Sequence, residues 1–256
     1  MALLQISALT HFFGGLRAVY DFDLALNQGE LIGLIGPNGA GKTTVFNLIT
    51  GIYRPTEGEI RLDGQPIIGL QPHQIASQGV CRTFQTIRLF SDVSVLDNVK
   101  IAFYSQIQST LLESLLRAGR SVQEDRAFTA EAMKLLELFG VDRYAHELAR
   151  NLPYGEQRRV EMVRALATKP RLLLLDEPAA GMNPGEIDRL MDLIHYIRDQ
   201  FQLTIFLIEH QMRLVMRVCE RIKVMDFGAT IAEGTADEVR TDPRVLKAYL
   251  GEEVVD

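Results

Sequence analysis

Nine consecutive residues, Gly36-Pro37-Asn38-Gly39-Ala40-Gly41-Lys42-Thr43-Thr44, have the types and spacing needed to grip phosphate. They fit the pattern G-x-x-x-x-G-K-[ST]. The glycines let the backbone curl so that successive N–H groups point inward at phosphate oxygens. A helix opening near Lys42 adds roughly half a positive charge at its N-terminus. Lys42 supplies a point charge for the β- and γ-phosphates of a nucleotide, and the Thr43 hydroxyl is a hard-oxygen ligand suited to Mg²⁺. A glycine-rich turn with a chance lysine would lack the apolar strand that enters this loop and the helical pattern that leaves it.

A second cluster follows far along the chain. Leu172-Leu173-Leu174-Leu175-Asp176-Glu177-Pro178 reads as a buried strand ending in two acids. The strand end puts Asp176 at the carboxyl edge of a sheet, where it can hold Mg²⁺ through its water shell. Glu177, next in sequence, points elsewhere, which suits polarising an attacking water. An acid pair after a strand is often only a solvated turn. The phosphate loop in the same chain converts this one into a candidate hydrolytic site.

These residues need elements to hold them. Phe22, Leu24 and Leu26 alternate with polar and small residues, the period-2 pattern of a half-buried strand. Residues 31–35 and 172–175 are apolar runs expected of strands buried on both faces. Further strands are expected at 59–62, 80–84, 204–208, 221–225 and 230–232. A helix is expected over 43–49, with Gly51 as its C-cap. Asn183-Pro184-x-Glu186 offers an N-cap, a proline at the first helical position and an acidic third residue. Thr235-x-x-Glu238 and Asp242-Pro243 start two short terminal helices. Between about Ser94 and Arg164 the texture turns helical: Val95, Val99, Ala102 and Phe103 share one face, and Phe128, Ala132, Leu135, Leu136 and Phe139 another. Strands alternating with helices predict an α/β fold with a substantially parallel sheet and a helical lobe inserted into it. Ligands of such sheets bind beyond the carboxyl ends of the strands.

Composition narrows the classes. The 256 residues carry a net charge of −6, which speaks against a nucleic-acid-coating surface. Cys81 and Cys219 stand far apart and in no metal-like cluster, so both are expected as reduced thiols. The N-terminus lacks the basic and long apolar regions of a signal peptide. No apolar run approaches the roughly 20 residues that cross a bilayer. Any role at a membrane is therefore expected to come through a partner.

Leu152-Pro153-Tyr154-Gly155-Glu156-Gln157 resembles the signature motif of ATP-binding-cassette (ABC) ATPases, usually written LSGGQ. The order of phosphate loop, Gln85, signature, Asp-Glu and His210 is also similar to that family, and the resemblance covers essentially the whole chain. It implies a P-loop NTPase core of the ABC type with a mostly parallel sheet, an N-terminal antiparallel β portion and an α-helical lobe. The implied boundaries are 1–86 and 166–256 for the core lobe and 87–165 for the helical one, within a single ATPase domain. It also implies the cofactors ATP and Mg²⁺, and a head-to-tail dimer with a second cassette, a paralogue or a second copy. The Tyr154, Gly155 and Glu156 segment of one chain would close on the other's phosphate loop, at the start of a helix beginning at Glu156. Pro153 stands where the family serine would offer a hydroxyl, leaving backbone N–H groups as donors.

By the same resemblance, Gln85 would bind Mg²⁺ or the attacking water and report nucleotide state to a membrane partner. His210 would contact the γ-phosphate. Phe13, with Phe12 as the adjacent alternative, would stack on adenine. Asn183 matches the last position of the family's D-loop, and capping explains it equally well. Within the family, the Arg82-Thr83-Phe84-Gln85 sequence, the Leu-Pro-Tyr-Gly signature and the terminal Ala248-Tyr249-Leu250-Gly251 are similar to branched-chain amino-acid importer ATPases. A long helical stretch between Val99 and Phe128 is shared with that group. This implies permease subunits, an extracytoplasmic substrate-binding protein and a place on the inner face of the membrane. Lipopolysaccharide-export, urea-import and soluble iron–sulfur-assembly cassettes are the alternatives.

Overall fold

Residues 2–103 and 120–250 are described by the structure, a computed structural model. The chain runs β1 (Ala2–Phe13), β2 (Leu16–Asn27), β3 (Leu31–Ile35), α1 (Lys42–Ile49), β4 (Glu57–Leu62), β5 (Gln65–Pro66), α2 (Pro72–Ser77) and β6 (Val80–Arg82). Three helices follow, α3 (Val95–Ala102), α4 (Arg120–Leu138) and α5 (Tyr154–Ala167). The chain ends with β7 (Leu172–Asp176), α6 (Pro184–Phe201), β8 (Thr204–Ile208), α7 (Met212–Val218), β9 (Arg221–Asp226), β10 (Ala229–Gly234), α8 (Ala236–Thr241) and α9 (Pro243–Leu250). Two units form: Met1–Arg82 with Arg171–Asp256, and Thr83–Pro170. Much of the stretch between Val99 and Phe128, residues 104–119, lies outside the described residues.

The first unit holds two sheets. One is antiparallel, in the order β2-β1-β4-β5. The other has the order β10-β9-β3-β8-β7-β6, parallel throughout except for β10. Every residue of β3, β7 and β8 is buried, including the polar Thr204 that opens β8 and Asp176 that ends β7, as expected of strands covered on both faces. Val45, Phe46, Leu48 and Ile49 of α1 join both sheets in one core. The Phe46 ring lies 5.2 Å from that of Phe206 on β8. Gly33 on β3 is a packing requirement: a Cβ there would stand 2.9 Å from the buried Cys219 Sγ. Cys219 is a free thiol.

The second unit is helical apart from a single bridge between Ser94 and Leu148 among the described residues. Ser94 caps α3 by accepting the Asp97 amide. Asn98, fully buried on α3, accepts the Phe90 amide and donates to the Phe90, Val93 and Ser94 carbonyls. Two expectations shift here. The strand expected over 80–84 stops at Arg82, because the Phe84 and Gln85 carbonyls are taken by the Arg158 guanidinium. The signature helix starts at Tyr154 rather than Glu156, with Pro153 as its N-cap and its carbonyl accepting from Glu156 and Gln157.

Candidate active site

β3 delivers the chain into the phosphate loop, and the loop's shape follows from glycine at two close approaches. Gly36 has φ +151°, and a Cβ there would meet the Met225 carbonyl oxygen at 2.1 Å. Gly41, at φ +101°, would bring a Cβ within 2.2 Å of the Ala18 carbonyl oxygen. Any side chain at either position would force the loop off the strands that support it. The β9–β10 turn also braces it, since the Gly228 amide donates to the Ala40 carbonyl. Asn38 and Gly39 are exposed at the crest, and Thr43 is exposed with Thr44 half-buried on the first turn of α1. The loop leads directly into the helix N-terminus, so its amides and the helix dipole favour an anion there.

Lys42 is buried, and its Nζ donates to the Gly36 and Pro37 carbonyls at 2.7 and 2.9 Å. Desolvation lowers its pKa below the ordinary lysine range, opposed first by the Glu177 carboxylate and then by Asp176. The lysine therefore curls over its own loop within the field of both acids.

Asp176 ends β7, beside β8 and two strands from β3. It is 2% exposed, and its Oδ2 accepts from Arg82 Nη2 at 2.6 Å. The same guanidinium donates to Asn47 Oδ1 at 2.7 Å. Glu177 turns away through a left-handed backbone at φ +49° and donates its amide to the Ile208 carbonyl. Its Oε2 lies 2.8 Å from His210 Nε2. One acid thus faces an arginine and the other a histidine.

The donor set suits a magnesium nucleotide. Asp176 and Thr43 offer hard oxygens. Among the described residues, no group of three or more His, Cys, Asp and Glu forms a cage. Mg²⁺ is usually held by one or two carboxylates together with phosphate oxygens rather than by an all-protein cage.

Phe13 is 43% exposed and packs edge-on to both His11 and Tyr53, with ring centroids 4.6 and 5.2 Å away. Phe12 lacks these ring contacts, and its amide donates to Thr56 Oγ1. Asn183 does cap α6: its Oδ1 accepts the Glu186 amide while Glu186 takes the Asn183 amide. Residues of the first unit—Lys42, Asp176, Glu177 and His210—gather at the carboxyl edge of its parallel sheet. Gln85, Tyr154, Gly155 and Glu156 belong to the second unit. There Arg158 holds the Gln85 carbonyl at 2.8 Å. The Tyr154 and Gly155 amides lie at the open start of α5, and Glu156 pairs with Arg143 and Arg159.

Two residues escaped the sequence reading. Tyr249 on α9 is one: burial pushes its phenol up, and the Gly36 backbone partly offsets the shift. Glu209, fully buried after β8, accepts three backbone amides. Nothing in an acid that follows a strand distinguishes such a clamp from a solvated turn.

Comparison with known proteins identifies the family. A family profile described as "ABC transporter" matches residues 19–180. One described as "Branched-chain amino acid ATP-binding cassette transporter" matches 229–255. The chain is 45% identical to the high-affinity branched-chain amino acid transport ATP-binding protein BraF of Pseudomonas aeruginosa, covering 98% of each chain. It is 46% identical to LivG of Escherichia coli K12, again over 98% of each. Identity is 36% to the E. coli lipopolysaccharide export system ATP-binding protein LptB, over 99% of each. The crystal structure of the ADP conformation of MJ1267, an ATP-binding cassette of an ABC transporter, superposes with a TM-score of 0.84 at 29% identity, covering 98% of this chain and 100% of that one.

The chain belongs to the ATP-binding-cassette transporter family and is an ATPase of that family. Its α/β core, with a mostly parallel sheet and an N-terminal antiparallel sheet, is the expected fold. Among the described residues no helix is long and apolar enough to cross a membrane.

Proposed function

We propose that this chain binds Mg-ATP on the loop from Gly36 to Thr44 and energises an importer of branched-chain or hydrophobic amino acids. The observation that carries the chemistry is the Glu177–His210 contact of 2.8 Å, at the same sheet edge as Lys42 and Asp176. In this reading Glu177 accepts the proton of the attacking water, and His210 orients Glu177 and faces the γ-phosphate. Lys42 leaves its loop carbonyls to meet the phosphates. Thr43 and Asp176 would hold Mg²⁺, which would supply charge neutralisation for the phosphates. Gln85 reports nucleotide state to the membrane partner, and Phe13 stacks on adenine.

The cargo class rests on the relatives. BraF and LivG are named for branched-chain amino acid transport, and the profile of that name matches the C-terminal segment. The lower identity to LptB makes lipopolysaccharide export the weaker alternative. The partners are then a second cassette in a head-to-tail dimer, permease subunits contacted by the loop after Gln85, and an extracytoplasmic binding protein reached through them. The chain sits on the inner face of the cell membrane. Across the dimer, the Tyr154 and Gly155 amides serve the partner's phosphates.

Glu177→Gln tests the chemistry. Turnover should fall about 10²–10⁴-fold, while ATP binding persists and an ATP-bound dimer accumulates on size-exclusion chromatography. Turnover at the wild-type rate would refute Glu177 as the base. Uptake of radiolabelled leucine by permease-containing vesicles, lost when this chain is omitted, tests the cargo.

A further inference from the structure

Glu209 is buried to 1% exposure, yet each of its described hydrogen bonds comes from a backbone amide and none from a cation. Oε1 accepts the Ala179 amide at 2.8 Å. Oε2 accepts the His210 amide at 2.8 Å and the Gln211 amide at 3.0 Å. A carboxylate taken out of water is costly unless its lone pairs are met, and hydrogen bonds to a charged acceptor are roughly twice as strong as neutral ones.

The three donors come from two different loops. Ala179 lies in the turn after β7, where the Ala180 and Met182 amides close back onto the Glu177 and Ala179 carbonyls. His210 and Gln211 lie in the loop after β8. β7 and β8 are adjacent parallel strands, with Asp176 opposite Ile208. Their loops are joined twice beyond the sheet: once by Glu177 and His210 side chains, and once by Glu209 reaching back to Ala179.

We propose that Glu209 is a positioning residue for hydrolysis, a clamp that fixes the backbone of His210 to the turn carrying Glu177, so that a displacement of 178–182 is felt at His210. This rests on the roles given above to Glu177 and His210. A glutamine at 209 cannot replace the carboxylate, because one of its two ends would present an NH₂ donor to amide donors.

Steady-state kinetics of Glu209→Gln, His210→Ala and the double variant provide the test. Glu209→Gln should lower kcat about tenfold or more with KM for ATP within about twofold. The double variant should turn over no more slowly than His210→Ala alone, because the two residues act as a unit. A purely structural role would shift Tm without this kcat-against-KM split. Wild-type kcat in Glu209→Gln, or losses that multiply in the double variant, would overturn the clamp.

Hydrogen exchange on the unaltered, nucleotide-free protein gives a second measurement that needs no variant to fold. The amides of Ala179, His210 and Gln211 should exchange at least about a hundredfold more slowly than those of Asn38 and Gly39. Exchange of the three at the rate of Asn38 and Gly39 would refute the clamp. Should His210→Ala keep wild-type turnover, the fault lies with the role given to His210, and the exchange rates alone decide the role of Glu209.

Discussion

Each unit buries one arginine beside a functional loop, and the two arginines do different things with their donors. Arg82, in the first unit, gives donors to two side chains: the Asp176 carboxylate and the Asn47 amide oxygen. Arg158, in the helical unit, spends them on the carbonyls of Phe84 and Gln85 and on the Glu161 carboxylate, whose other oxygen accepts the Arg88 amide. The first arrangement fixes the direction of Asp176, the acid proposed above to hold the metal. The second fixes the path of a backbone and does so from the helix that begins with the signature residues. One arginine therefore tunes a site and the other splices a loop to a helix.

Breaking the second arrangement should cost more. Arg158→Met strands Glu161 in the interior without its cation, and denaturant unfolding should report a loss of about 3–5 kcal/mol. Arg82→Met removes the charged bonds to both Asp176 and Asn47 but leaves Asp176 near Lys42, which keeps the loss at the low end for a broken buried pair, about 3 kcal/mol. Its distinctive effect should be on the metal: half-maximal turnover should require about tenfold more Mg²⁺, as when the outer partner of a metal ligand is removed. If Arg158→Met shifted the Mg²⁺ requirement and Arg82→Met did not, the contrast would be reversed. The smallest effect belongs to a residue outside both networks. Asn183→Ala should cost about 1 kcal/mol through the lost cap, and Asn183→Asp should be near neutral, since either residue caps well. A turnover change in Asn183→Asp much larger than its stability change would give position 183 a role beyond capping.

What could be read from the sequence follows the same division. The runs at 31–35, 172–175 and 204–208 announced buried strands because every residue in them is apolar or small. Asn183-Pro184-x-Glu186 announced a helix start because its capping is local. β1 was harder to read, because its alternation is broken by register shifts and by Ala8 at φ +49°. α7 spans only seven residues, too few for a clear period. The end of β6 was misplaced for a reason no local pattern carries. Thr83 and Phe84 have the composition of a strand, but a guanidinium more than seventy positions away claims the Phe84 carbonyl. The roles of Glu209 and Arg82 stayed hidden likewise: the Glu209 bond to Ala179 and the Arg82 bonds to Asn47 and Asp176 span at least thirty positions, so only the folded register identifies them.

Cys219 offers a use for the fit between β3 and α7. Its thiol packs where Gly33 leaves room for it, and burial, aided by Glu220, pushes its pKa well above the usual thiol range. A thiolate is the reactive form, so an electrophilic label cannot reach or find it while the sheet is closed. The chain thus carries a silent reporter: the rate at which a thiol reagent modifies Cys219, with and without nucleotide, follows how much of the time this region is open.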